Sequence, residues 1–183
     1  MASDPARMWD RQEARGDLAE AYWDLARARP GFRIADVGCG PGYFALRHAL
    51  ATGPTGHVHA VDADPSMLAY LAVRLDRVHH PHVTLELLDV TTAPLPDLHF
   101  DVIFCSAMLH HVDDVPAALR NLRGSKAPLV IAEFDPEGPG DVGPPKEVRI
   151  APDALASMLR DAGFRPHAPR ALRHETYAIR AEP

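Results

Sequence analysis

A glycine-rich turn between a short apolar segment and an alanine- and leucine-rich segment constrains the fold of this chain most. Residues 32–38 (FRIADVG) predict a buried strand, and the pattern from about residue 43 to 51 predicts a helix. Between them, three glycines occupy alternate positions from residue 38 to residue 42. Backbone without a Cβ atom bends sharply and can lie close against a ligand, so the turn predicts a binding site. The spacing is not the dinucleotide-binding G-x-G-x-x-G, because Tyr43 stands where the third glycine belongs, and no Gly-Lys-Ser/Thr of a P-loop follows.

Strand and helix patterns alternate along most of the remaining sequence. This alternation predicts an α/β fold with a parallel sheet, and such sheets bind ligands at the carboxyl ends of their strands. The further elements that we expect are strands at 57–62, 82–89, 100–107 and 127–134, helices at 10–28, 65–78, 115–123 and 152–162, and one or two closing strands within 165–181.

Length and composition place limits on the domain organisation. A chain of 183 residues with 46% hydrophobic residues predicts one globular domain over residues 1–183. Within it, we expect residues 1–30 to form an N-terminal helical cap, either a lid on the site or a helix that packs on the core. The Pro/Gly-rich segment 135–150 predicts a long loop near the site.

The same composition excludes several classes of protein. The net charge of −6 disfavours a nucleic-acid partner, and two cysteines provide no disulfide framework. The N-terminus lacks the apolar core of a secretory signal, and no apolar run has the length of a membrane span. We therefore expect a cytoplasmic protein with no nucleic-acid or membrane partner.

Two aspartates follow the next two predicted strands. Asp62 ends the strand at 57–62, where an acidic side chain is suited to accept hydrogen bonds from both hydroxyls of a ribose. Asp89 follows the third strand, where a carboxylate can accept a hydrogen bond from the exocyclic amine of adenine. Together with the glycine turn, these positions predict one nucleoside-sized pocket.

The motifs DVGCGPGYFAL, VDADPSML, LLDV and FDVIFCSAMLHHVDD, in this order, resemble those of class I S-adenosylmethionine-dependent methyltransferases. The similarity is greatest to the UbiE-like, type 11 branch, and it covers about residues 32 to 134. The resemblance implies a Rossmann-like, doubly wound sheet of seven strands, mostly parallel with the last strand antiparallel. It also implies S-adenosylmethionine as cofactor and S-adenosylhomocysteine as product.

The resemblance further assigns the cofactor-binding residues. The methionine portion would lie against Asp36 and the glycine turn, the ribose on Asp62, the adenine between Ala63 and Met67, and the sulfonium near Cys105–Ala107. Many relatives carry Asn at the place of Ala107, so this chain lacks that polar group at the cofactor's amino-acid end. The full set of expected cofactor-binding residues is Asp36, Gly38, Cys39, Gly40, Gly42, Asp62, Ala63, Met67, Asp89, Val90, Cys105 and Ser106.

Histidines and cysteines near the expected site leave alternatives open. His110 and His111 follow the fourth strand, where either could act as a general base or could pack into the turn. Cys39 and Cys105 could bind a soft metalloid, but we favour two small residues that pack. The histidines at 57, 59, 79, 80 and 82 are expected to be solvated, and we expect no metal site.

The sequence thus predicts an enzyme that transfers the methyl group of S-adenosylmethionine to an unidentified acceptor. We expect a small-molecule acceptor and leave a protein acceptor open. The alternative is a protein that binds S-adenosylmethionine or S-adenosylhomocysteine without catalysis. A nicotinamide-dependent dehydrogenase is disfavoured by the glycine spacing. A monomer and a homodimer are both compatible with the sequence.

Overall fold

The computed structural model describes residues 4–78 and 82–183. The described helices are α1 (Pro5–Glu13), α2 (Leu18–Ala26), α3 (Tyr43–Thr52), α4 (Pro65–Val78), α5 (Val115–Arg123) and α6 (Pro152–Asp161), with short 3-10 helices at Leu109–His111 and Lys146–Val148. The strands are β1 (Arg33–Val37), β2 (His57–Asp62), β3 (Val83–Leu87), β4 (Val102–Ser106), β5 (Leu129–Phe134), β6 (Arg165–Pro166), β7 (Arg170–Ala171) and β8 (Thr176–Glu182).

One sheet carries all of these strands, in the order β3-β2-β1-β4-β5-β8-β6, with β7 also paired to β8. Strands β1 to β5 are parallel, and β8 is antiparallel to β5. The predicted fold class is confirmed, although the sheet has eight strands rather than seven. The additional pairing comes from β6 and β7, which have two residues each and are too short to produce a sequence pattern. The strand order reverses between β1 and β4, and α/β sheets bind ligands at such a point.

Side chains alternate between two apolar layers, one on each face of the sheet. In β1, Ile34 belongs to the layer beneath α2, α3 and α4, whereas its neighbour Ala35 belongs to the layer beneath α5 and α6. This alternation is the two-residue period of a strand, and both faces are covered because crossover helices lie on both sides. The central strands are therefore fixed from both faces, which holds their carboxyl ends in place.

The N-terminal segment forms two helices, so the prediction of one helix over 10–28 is wrong. The chain turns between α1 and α2 at residues 14–17. Gly16 lies so close to Tyr43 that a Cβ atom there would stand 2.3 Å from the tyrosine hydroxyl oxygen. Helix α2 packs on the core through Leu18 and Tyr22, whereas α1 lies over α3 and α4.

The Pro/Gly-rich segment 135–150 is held by one ion pair. Glu175 accepts hydrogen bonds from the backbone amides of residues 140–142, and it pairs with Arg149 at 2.8 Å. Arg149 also donates to three carbonyl oxygens within residues 135–144. Both the Arg149 guanidinium and Gly143 lie against the Phe134 ring. The loop therefore has fixed partners of its own.

Two further expectations concern the surface. None of the described helices is long and apolar enough to cross a membrane. The expectation that the strand histidines are solvated is wrong for His59, because this side chain is buried and bonded to Thr84 and Glu86. His79 and His80 lie outside the described residues.

Candidate cofactor site

A cavity of about 470 Å³ opens at the carboxyl ends of β1 to β4. This volume lies within the usual range of small-molecule sites, roughly 300 to 1,000 Å³. The loops after all four strands contribute to it, and helix α1 and the turn that follows it complete one wall. The lining residues are Met8, Gln12, Arg15, Val37, Gly38, Gly40, Asp62, Ala63, Asp64, Met67, Leu88, Asp89, Val90, Thr91, Ser106, Ala107, Met108, His111, Val112, Asp113 and Asp114.

The glycine turn is tied directly to the end of β2. The Gly38 amide donates to the carbonyl oxygen of Val61 at 2.8 Å, and the Gly40 amide donates to Asp62 Oδ2 at 2.7 Å. Gly38 has a φ of +68°, and a Cβ atom there would stand 2.1 Å from Cγ of Met108. Glycine is required at this position by both the backbone angle and the lack of space. The turn thus presents bare backbone to the cavity.

Asp62 orients its carboxylate by two backbone hydrogen bonds. Oδ1 accepts from the amide of Asp64 at 2.9 Å, while Oδ2 accepts from the amide of Gly40. Burial raises the pKa of Asp62, although these backbone bonds partly offset the rise. A carboxylate oxygen can accept more than one hydrogen bond, so each oxygen of Asp62 can accept a further hydrogen bond from a ligand in the cavity.

Asp36 is a buried carboxylate with an unused oxygen. It lies in the middle of the sheet, between Ala60 of β2 and Phe104 of β4, and it is 2% exposed. Its Oδ2 atom has no hydrogen-bond partner. Burial, together with the nearby Asp62, raises the pKa of Asp36 to about 7. Buried polar atoms are normally paired, so this oxygen indicates a missing donor at the end of β1.

The loop after β3 forms another part of the wall. Asp89 is exposed, and its Oδ1 accepts from both the amide and the hydroxyl of Thr91, at 2.9 and 2.7 Å. The carbonyl oxygen of Val90 accepts from the side-chain amide of Asn121 at 2.8 Å. Across the cavity, Ala63 and Met67 supply apolar surface. A flat apolar group with a polar edge fits between these two sides.

The end of β4 provides a polar group and a strained turn. The Ser106 hydroxyl donates to the hydroxyl oxygen of the buried Tyr22 at 3.1 Å. Ala107 has a φ of +52°, a left-handed conformation that residues other than Gly, Asn and Asp rarely adopt.

Cys39 and Cys105 are both free and buried, and burial raises the pKa of each thiol. Neither cysteine lines the cavity.

The two histidines after β4 occupy different environments. His110 is buried, and its Nδ1 lies 2.7 Å from Oε2 of the fully buried Glu133. Glu133 also accepts from the amide of Leu109 at 2.6 Å, so it fixes the short helix that carries both histidines. His111 lines the cavity, with its ring centroid 4.1 Å from that of His110. Burial lowers the pKa of His111, and the adjacent His110 lowers it further.

Helix α1 closes the cavity through residues that the sequence patterns did not identify. The side chain of Gln12 is buried, donates to the carbonyl oxygen of Cys39 at 3.0 Å and accepts from the amide of Tyr43 at 3.0 Å. Trp9 packs on Tyr43, and the guanidinium of Arg74 lies 3.7 Å above the Trp9 ring. Helix α1 and the turn after it thus contribute lining residues to the cavity, whereas α2 packs on the core.

The structure brings most of the expected site residues together. Those that line the cavity are Gly38, Gly40, Asp62, Ala63, Met67, Asp89, Val90, Ser106 and His111. Those that do not line it are Asp36, Cys39, Gly42, Cys105 and His110. No residue of the segment 135–150, all of which the structure describes, lines the cavity. That loop lies one layer behind it, because Phe134 separates it from Arg15.

These features fit S-adenosylmethionine. The cofactor is a nucleoside with an amino-acid tail. The cavity has a ribose-type carboxylate and an apolar slot, and the buried Asp36 carboxylate, which precedes the glycine turn in β1, lacks a donor. The glycine turn offers the close backbone approach that such a ligand needs.

Comparisons with known proteins point to the same group. Residues 34–128 match the family model described as a methyltransferase domain. The malonyl-[acyl-carrier protein] O-methyltransferase of Halorhodospira halophila is 35% identical over 108 residues, which cover 57% of this chain and 36% of that protein. The ubiquinone/menaquinone biosynthesis C-methyltransferase UbiE of Ectopseudomonas mendocina is 34% identical over 119 residues, which cover 63% of this chain and 46% of that protein.

The chain thus spans less than half the length of these two curated relatives. Among solved structures, a SAM-dependent methyltransferase from Aquifex aeolicus superposes with a TM-score of 0.86 at 23% identity, over 98% of both chains. This likeness shows the shared fold. On the match to the methyltransferase family model, the chain belongs to the class I S-adenosylmethionine-dependent methyltransferases, in the UbiE-like group.

Proposed function

We propose that this chain transfers the methyl group of S-adenosylmethionine to a small-molecule acceptor within the cavity at the ends of β1 to β4. One observation carries the proposal: the glycine turn, the Asp62 carboxylate and the unpartnered Asp36 carboxylate meet at the point where the strand order reverses. Each of these groups is suited to a different part of the cofactor, and the sheet holds them in fixed relative positions.

In this proposal, the protein contributes mainly position and exclusion of water. When bound, S-adenosylmethionine supplies a methyl group that its positively charged sulfur already activates. Asp62 and the glycine turn orient the nucleoside, while α1 covers the cavity with Met8 and Gln12. Correct alignment of reacting groups can lower a barrier by about 7 to 11 kcal/mol, so no covalent catalyst is required.

We further propose His111, rather than His110, as the group that accepts a proton from the acceptor. His111 lines the cavity, whereas Nδ1 of His110 is committed to Glu133. Because the pKa of His111 is lowered, its ring is neutral at pH 7 and can accept a proton. His110 then has a positioning role, since the Glu133 pair holds the turn in which His111 lies.

The position of helix α1 over the cavity supports a small-molecule acceptor. Helix α1 is anchored by Gln12 and by the packing of Trp9, so access is limited to what fits beside it. The names of the two curated relatives specify an oxygen in one case and a carbon in the other as the methylated atom. Both oxygen and carbon acceptors therefore belong among the compounds assayed with this chain.

Calorimetry with S-adenosylhomocysteine tests the binding half of the proposal. We expect Asp62→Ala to weaken binding at least about tenfold, because a buried charge-assisted hydrogen bond contributes roughly 1.5 to 3 kcal/mol. The exposed Asp97→Ala serves as the matched control and should leave the affinity unchanged. Equal affinities for the wild-type chain and Asp62→Ala would refute the assignment of the pocket.

Methyl transfer tests the catalytic half. With a labelled methyl donor and a panel of quinone, phenol, amine and carboxylic acid acceptors, we expect label in one acceptor class. His111→Gln should then lower the transfer rate by about 10² to 10⁴ without changing the affinity for S-adenosylhomocysteine. An unchanged rate would exclude His111 as the base. Tight binding with no transfer to any acceptor would favour the non-catalytic alternative.

A further inference from the structure

The positively charged side chain of Arg15 lines the cavity, and one of its buried nitrogen atoms has no hydrogen-bond partner. It lies in the turn between α1 and α2, and it is the only lysine or arginine among the described residues that line the cavity. Its Nε atom donates to the carbonyl oxygen of Arg11 at 3.1 Å, whereas its buried Nη1 atom has no hydrogen-bond partner. The guanidinium lies 4.9 Å from the centre of the Phe134 ring, which fixes its plane.

A buried N–H group of a guanidinium is costly without a partner, because the group stays charged and cannot neutralise itself by losing a proton. Burial lowers the pKa of Arg15, and the nearby Glu133 opposes that change. Glu133 does not complete the pairing, since its oxygens accept from Leu109 and His110. The geometry therefore leaves Nη1 of Arg15 available for an anion in the cavity.

Arg15 lines the cavity, and Asp36 belongs to β1, whose following turn lines it as well. Both of their charges act on the hydroxyl of Tyr22, which in turn accepts the hydrogen bond from Ser106 at the end of β4. Among the described residues, three buried side-chain atoms have no partner, and two of them are Arg15 Nη1 and Asp36 Oδ2. A cationic N–H group and a carboxylate oxygen, each without a hydrogen-bond partner, thus both lie near the Tyr22 hydroxyl.

Such a pair matches a zwitterion. An α-amino acid group carries one carboxylate and one ammonium on the same carbon, so it can meet both charges at once. A purely anionic ligand fits less well, because the other charged lining residues besides Arg15 include the carboxylates of Asp62, Asp64 and Asp89.

We infer that Arg15 binds the carboxylate of the methionine portion of S-adenosylmethionine, opposite an Asp36 that receives the ammonium. This assignment rests on the proposed function and names a residue for the cofactor's amino-acid end, where Ala107 offers no side-chain polar group. It also gives α1 a role in binding, because the turn that carries Arg15 is held in place by the contacts of Gln12.

The test compares two ligands that differ only in the carboxylate. The affinities of S-adenosylhomocysteine and of its decarboxylated analogue, which keeps the amine, are measured by calorimetry on the full chain. We expect the wild-type chain to prefer S-adenosylhomocysteine. Arg15→Gln should lower the affinity for S-adenosylhomocysteine about ten- to hundredfold and change that for the analogue by less than about threefold.

Two further variants complete the experiment. Arg7→Gln removes an exposed charge of helix α1 and should leave both affinities unchanged. Arg15→Lys keeps the charge and most of the packing stem, so it should retain part of the preference even if Arg15→Gln fails to fold. An equal loss for both ligands in Arg15→Gln, or full retention of the preference, would overturn the assignment. A wild-type chain that binds neither ligand would instead refute the proposed function, and the assignment with it.

Discussion

The buried carboxylate of Asp36 makes a quantitative prediction about stability and pH. An aspartate in the unfolded chain has a pKa of about 3.8, and burial in the folded protein raises that of Asp36 to about 7. A raised pKa means that the folded state keeps its proton while the unfolded state loses it. The free energy of unfolding therefore falls progressively as the pH rises from about 4 to 7. Above pH 7, Asp36 causes no further decrease.

The magnitude follows from the size of the rise. Each pKa unit corresponds to about 1.4 kcal/mol, so the cofactor-free protein should lose up to about 4 kcal/mol of folding free energy through this one group. Asp36 is 2% exposed, so solvent screening reduces the effect little. Asp36→Asn keeps the shape of the side chain and removes its titration. The variant should match the wild-type chain near pH 4 and exceed it in stability at pH 8.

Urea unfolding of both proteins at several pH values between 4 and 8 measures this difference. Because only the difference between the two chains is used, the titration of the other carboxylates cancels to first order. The same substitution should weaken the binding of S-adenosylhomocysteine, because a neutral amide no longer attracts the ammonium. Stability curves of the two proteins that stay parallel over this pH range would refute the reasoning.

Two substitutions test the turns that border the cavity. Gly42→Ala should lower the folding free energy by about 3 kcal/mol in urea unfolding, because φ is +90° and a Cβ atom would stand 2.3 Å from Leu71 Cδ1; a cost near zero would contradict this. Ala107→Asn should raise the folding free energy by up to about 1 kcal/mol, since Asn tolerates the φ of +52°. In thermal melting this gain corresponds to about 2 to 4 °C, and a lower melting temperature would show that the left-handed turn is not strained.

The sequence was informative where local pattern and strand order decide the position of a residue. The strand before Gly38 and the strand ending at Asp62 are short apolar runs with clear ends. Because parallel strands bring their carboxyl ends together, the sequence predicts both positions in one pocket, and β1 and β2 are parallel neighbours. The glycine spacing also separated this turn from dinucleotide and phosphate sites.

The cover over the site could not be predicted in the same way. Gln12 contacts the carbonyl of Cys39 across 27 positions of sequence, and no periodic pattern encodes such a contact. Arg15 fell within a segment that looked like one continuous helix, because Gly16 is a single glycine and its close approach to Tyr43 is a tertiary contact. Gln12 lies on a helix of mostly polar residues, so its sequence context did not indicate that its side chain is buried.

The ion pairs behind the site were hidden for a related reason. Glu133 lies near the end of an otherwise apolar strand, next to the Pro/Gly-rich segment, and its sequence context does not indicate which residue it pairs with. In the structure its side chain is fully buried and is bonded to His110 and to the Leu109 amide. The partner lies on the neighbouring strand's loop, so only the β4–β5 pairing reveals the contact.

A crystal structure of this chain with S-adenosylhomocysteine tests the central claim most directly. We predict the ribose hydroxyls on Asp62 and the adenine beside Ala63 and Met67, with Asp89 and Val90 at its edge. The amino-acid end should lie between Asp36 and Arg15. Ligand density outside the cavity at the ends of β1 to β4, or an amino-acid end that contacts neither Asp36 nor Arg15, would contradict the account.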